Sequence, residues 1–117
     1  MANTEDFVVE TGIEVSGSFN YSAGTISSGT VDLSTGCFFK ETLTANTTYA
    51  FSNAKPMQIF QMEITGASDA VYTITWPSSV EWAYGISPPS PERNQKYIYT
   101  FITSDTGTSF IGGRSFG

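Results

Sequence analysis

The sequence predicts an all-β chain, an antiparallel β-sandwich of jelly-roll-like form with an extended N-terminal arm. Three observations carry that prediction. The 117 residues include 16 Thr, 15 Ser and 11 Gly, the vocabulary of strands and turns rather than of helices. Apolar and aromatic residues recur at every second position over strand lengths, as in Tyr97, Tyr99 and Phe101 against Ile98, Thr100 and Ile102. No window places apolar residues at three- and four-residue spacing between caps, so no substantial helix is expected.

Taken in order, residues 1–30 read as the arm. Phe7-Val8-Val9-Glu10, Ile13-Glu14-Val15, Phe19-Asn20-Tyr21 and Thr25-Ile26 are short strand-like pieces divided by Gly12, Gly17 and Gly24. None is long enough to close a core alone, so each needs another surface to order against. Phe7, Val8, Val9 and Ile13 are the expected assembly and anchoring contacts. Residues 31–117 read as the sandwich. Ala45-Asn46-Thr47 separates a strand at 39–44 from one at 48–52, and Gly66-Ala67-Ser68-Asp69 separates 57–65 from 71–76. Asp105-Thr106-Gly107 is a hairpin turn between 96–103 and 108–112. Pro77 to Arg93 holds four of the five prolines. Proline cannot donate to a ladder, so a long surface loop or polyproline arm is expected there. Gly112-Gly113-Arg114 reads as a tail crossing a subunit interface, with Arg114 set to pair with a neighbour's acidic arm.

Charge and chemistry narrow the function. The net charge is −6, and the five bases are scattered, so neither nucleic acid nor an anionic membrane is an expected partner. The first 35 residues hold Glu5, Asp6, Glu10, Glu14 and Asp32 with no base. That asymmetry suits solubility or docking onto a basic surface. Histidine is absent, which removes the commonest general base and metal ligand. The single cysteine, Cys37, allows no intrachain disulfide and no zinc cluster, and reads as a small buried hydrophobe. No metal and no cofactor are expected. No run of 18 apolar residues and no export signal stand out.

Catalysis has no foothold in the residue types. A serine nucleophile lacks its histidine. Only Glu63 and Glu81 lie in apolar sequence, and no carboxylate pair stands out for glycoside hydrolysis. The expectation is a non-enzyme with no catalytic residues. Trp76, Trp82 and Tyr84 cluster around the proline-rich stretch. Trp76 reads as a strand end inside the core. Trp82 and Tyr84 read either as platforms for a sugar ring or as subunit contacts, since tryptophan and tyrosine suit both.

Several ordered strings carry a resemblance. Val31-Asp32-Leu33-Ser34-Thr35-Gly36 is followed by Thr42-Leu43-Thr44-Ala45-Asn46-Thr47-Thr48-Tyr49-Ala50-Phe51-Ser52-Asn53, then by Thr75-Trp76-Pro77-Ser78-Ser79-Val80-Glu81-Trp82. The chain closes on Tyr97–Thr103, Ser104–Gly107 and Ser109–Gly113. Over residues 30 to 117 this resembles a β-rich module of tailed-bacteriophage tail fibres and related virion proteins. Asp6–Ile13 resembles segments that precede such modules. The resemblance implies a trimeric virion surface protein made in the host cytoplasm, performing no reaction. Its partners would be its own copies and other capsid, tail or neck proteins. The short chain favours a capsid decoration protein, and the fibre-like motifs favour a small fibre or fibre tip that binds a host surface glycan.

Overall fold

The computed structural model describes residues 23–117. They form an all-β fold whose only helical piece is one 3-10 turn, Ala83–Gly85. Ten strands run in chain order: β1 (Thr25–Ser27), β2 (Thr30–Asp32), β3 (Phe38–Thr42), β4 (Thr47–Thr48), β5 (Ala50–Ser52), β6 (Ile59–Thr65), β7 (Ile74–Thr75), β8 (Val80–Trp82), β9 (Lys96–Thr103) and β10 (Phe110–Phe116). They assemble as a five-stranded sheet in the order β3-β6-β9-β10-β8, a three-stranded sheet β1-β2-β5 and a two-stranded sheet β4-β7.

The alternation in β6 and β9 selects one buried face. Phe60, Met62 and Ile64 of β6 and Tyr99, Phe101 and Thr103 of β9 are buried, while their neighbours are half-buried or exposed. Phe39 of β3 and Phe110 of β10 extend the same face. Val31 and Leu33 join the core from the other layer, and the half-buried Phe51 of β5 packs against it. The Phe51 ring lies 5.1 Å from Phe60, 5.2 Å from Phe101 and 4.9 Å from Phe110, each edge to face, the geometry that ring quadrupoles prefer. The result is a sandwich with an aromatic interior.

The sheets are mixed, where an antiparallel sandwich was expected. β3–β6, β2–β5, β4–β7 and β8–β10 pair in parallel, and β1–β2, β6–β9 and β9–β10 antiparallel. Period-two alternation fixes which face of a strand is buried and is silent on the direction of its partner. Direction follows from the connections: a two-residue turn joins β1 to β2 and a short loop joins β9 to β10, whereas β3 reaches β6 through β4 and β5, which belong to two other sheets.

Three further expectations shift. The arm was bounded at residue 30, yet β1 and β2 form a hairpin with Ile26 opposite Val31, so residues 23–30 belong to the sandwich. Ser28 (φ 49°) and Gly29 (φ 82°) are both left-handed, as a two-residue hairpin turn with the native twist requires. The rest of the arm, with Phe7, Val8, Val9 and Ile13, lies outside the described residues. The expected strand 71–76 contracts to Ile74–Thr75. The stretch from Pro77 to Arg93 is not wholly loop, because Val80–Trp82 is the edge strand β8, an edge being where flanking proline is tolerated. Pro91 in the same stretch is fully buried, and Ser90 Oγ accepts from Ile74 N at 3.0 Å.

Candidate functional site

Trp76 follows β7 directly, and Trp82 ends β8. Trp82 registers with Gly112 of β10, which in turn registers with Phe101 of β9. A Cβ on Gly112 would sit 2.8 Å from the Phe101 ring and 3.1 Å from the Trp82 ring. The missing side chain lets the two rings meet, their centroids 5.6 Å apart. Trp76 stacks on Tyr49 at 5.3 Å with 30° between the planes and meets Tyr99 at 4.8 Å and Trp82 at 5.4 Å. Loop and sheet are thus joined by rings.

Beside these tryptophans lies an open groove of about 390 Å³ whose walls include Thr75, Trp76, Pro77, Ser78, Trp82 and Ser87. Indole surface, the aliphatic Ile74 and Val80, and hydroxyls make up its chemistry, and no charged side chain lines it. The phenols behind it are held neutral. Burial pushes the Tyr49 hydroxyl well above the ordinary tyrosine range, and its hydrogen bond to Glu41 Oε1 (2.5 Å) adds to the shift. Burial likewise raises Tyr99, whose hydroxyl has no hydrogen-bond partner among the described residues.

Trp82 and Tyr84, paired in the sequence reading, face different surroundings. Trp82 is half-buried against Tyr99 and Phe101. Tyr84 is 98% exposed and adopts a left-handed backbone (φ 58°), uncommon for a bulky residue, immediately before Gly85 on the groove wall. Trp76 packs against the core cluster, in keeping with its reading as a strand end. Cys37 is half-buried against the same cluster. Gly112-Gly113-Arg114, read as a tail, instead lies inside β10, where the glycine provides ring clearance. The Arg114 guanidinium sits 4.8 Å from the centroid of its own chain's Tyr97 ring, a cation–π contact.

Two clusters escaped the sequence reading. Asp32 Oδ1 accepts from Ser34 N (3.0 Å), Ser34 Oγ (2.6 Å) and Asn53 Nδ2 (2.9 Å), tying the end of β2 to the residue after β5. The Asn53 bond, then those from Ser34, hold the Asp32 carboxyl below its usual range. The signal for this knot is an Asx turn, Asp32-Leu33-Ser34. Tyr49 and Tyr99 behind the groove carry no local signal, because the strand pairings that assemble them are distant in sequence.

No protein family, curated protein or solved structure matches this chain. Among the described residues, no three His, Cys, Asp or Glu side chains group as metal ligands, and no helix is long and apolar enough to cross a membrane.

Proposed function

We propose that the chain is a non-enzymatic bacteriophage virion structural protein on the particle surface, a trimeric capsid decoration (cement) protein. What supports the reading is where the fibre-like strings fall in the fold. Asp32 and Ser34 of the first string and Asn53 at the end of the second close on one another. Trp76 and Trp82 of the third seal the end of the core together with Tyr49 of the second. The strings that carry the resemblance therefore act as architecture, as in a module whose work is to fold and assemble. The N-terminal arm serves as the anchor to other virion proteins, with Phe7, Val8, Val9 and Ile13 as contacts. Quantitative mass spectrometry of purified particles tests the proposal: hundreds of copies per particle are expected, and absence from particles would defeat it.

The groove favours a second reading, a small tail or neck fibre tip that binds a host surface glycan. A neutral trough walled by indoles and hydroxyls suits a pyranose, which offers an apolar face and a hydroxyl rim. A few copies per particle, together with loss of glycan retention in Trp82→Ala and in the surface variant Tyr84→Ala, would favour this reading over decoration.

A further inference from the structure

A second pocket, of about 280 Å³, opens between the β1–β2 turn, the end of β3 and the turn into β4. Its walls carry oxygen almost throughout: Ser28, Thr42, Thr44, Thr47 and Thr48 supply hydroxyls, Asn46 an amide, and Glu41 the one charge. Backbone bonds hold those walls in place. Leu43 N donates to Thr65 O at 2.9 Å, Thr47 N to Thr73 O at 3.0 Å, and Ala50 N to Gly29 O at 2.9 Å. Asn46 Oδ1 accepts from Thr73 N at 2.9 Å. A Cβ on Gly29 would run into Thr48 O, so only glycine lets the hairpin turn approach β4 this closely.

Glu41 is the anomaly in this pocket. Two residues after the buried Phe39, it turns to the same inner side of the sheet and is half-buried. The Tyr49 hydroxyl donates to its Oε1 (2.5 Å), and burial keeps the proton on that phenol, so the contact brings no positive charge. Among the described residues no base pairs with Glu41, because the adjacent Lys40 turns outward and pairs with Glu63 at 3.4 Å. A carboxylate withdrawn from water ordinarily has a cationic partner. Here Oε2 is left without one among the described residues, in a pocket with room for a ligand.

The walls define the missing partner. It is positive, to answer Glu41, and it carries further polar groups, to answer the threonine hydroxyls. A calcium-type ion asks for more than one carboxylate. A lysine side chain would lay its methylene stem along apolar surface, and the one apolar side chain of the walls, Leu43, is itself buried. We propose that this pocket binds an amino sugar whose amine is free, of the glucosamine type. Its ammonium sits on Glu41 Oε2 and its ring hydroxyls meet the threonine walls, while the Tyr49 hydroxyl orients the carboxylate. The site shares no residue with the tryptophan groove and depends on neither virion reading.

Titration of the full chain with glucosamine, followed by backbone amide chemical shifts, tests it. Glucosamine should perturb Gly29, Thr44, Asn46, Thr47 and Thr48. N-acetylglucosamine keeps the ring and loses the charge, so it should bind about tenfold more weakly or worse, as loss of a charge-assisted hydrogen bond implies. Glu41→Gln still offers Tyr49 an acceptor and should lose glucosamine by a similar factor. Thr44→Val, on the rim, should weaken binding with Glu41 in place, and it carries the test if Glu41→Gln misfolds; unchanged dispersion of the remaining amides verifies each fold. Equal affinity for the two sugars, or undiminished binding in the variants, would overturn the proposal. So would tighter binding of Nα-acetyl-lysine amide than of glucosamine, shifts centred on Ser78 and Ser87 of the groove, or no response at tens of millimolar sugar.

Discussion

Thr103 shows how much one hydroxyl can organise. It is the buried polar residue of β9, and its Oγ1 donates to Lys55 O and accepts from Gln58 N, both at 2.6 Å. Thr103→Val keeps the shape and strands a backbone donor and an acceptor, so a loss of about 1–3 kcal/mol is expected in chemical denaturation. A second effect is expected at high pH. Tyr49 and Tyr99 both have raised phenol pKa values, so the fold favours their protonated forms. Their contribution is complete below about pH 10 and falls as pH rises beyond it. In an alkaline titration followed at 295 nm, these two should ionise only as near-ultraviolet dichroism is lost. Asp32 works in the opposite direction: its lowered pKa stabilises above the ordinary aspartate value of 3.8, and that contribution fades as pH falls through the acid range.

At the scale of elements, the row Phe60–Phe101–Gly112–Trp82 runs across four neighbouring strands in register. Gly112→Ala drives a methyl against the Phe101 and Trp82 rings and should cost about 1–3 kcal/mol. Gly113, with no atom within 4 Å of its would-be Cβ, is the matched control and should accept alanine with little change. Thermal denaturation of the pair checks both. The same strands show what was legible in the sequence. β6 and β9 were readable because Phe60, Met62 and Ile64, and Tyr99 and Phe101, alternate over a full strand length. The β9–β10 hairpin was readable from Asp105-Thr106-Gly107. β8 was hidden because its three residues sit among prolines, and the β1–β2 hairpin because its turn, Ser28-Gly29, fell inside the presumed arm. Trp82 and Tyr84 were found as residues, but their opposite exposure depends on a left-handed turn that composition does not reveal.

For the whole molecule, the decisive quantity is the amount of apolar surface left over after folding. Among the described residues, Ile59, Ile86, Ile102, Ile111 and Phe116 are exposed, and β3 and β8 are edge strands. A domain this small gains from symmetric association, which buries such surface and shields edges. Light scattering after size exclusion is expected to give three times the 12.7 kDa chain mass. A stable species of single mass at micromolar concentration would remove the trimer while leaving the sandwich intact.

The position of β10 also imposes an order in time. It lies between β9 and β8, and among the described residues β8 finds its sheet partner in Phe110–Gly112, well downstream of itself. During synthesis, Val80 and Trp82 leave the ribosome before Phe110–Gly112, so the ladder of β8 waits for that later segment. Closure is therefore a late event, and a nascent chain stalled before Phe110 presents tryptophan and phenylalanine to whatever chaperone or sister chain is near.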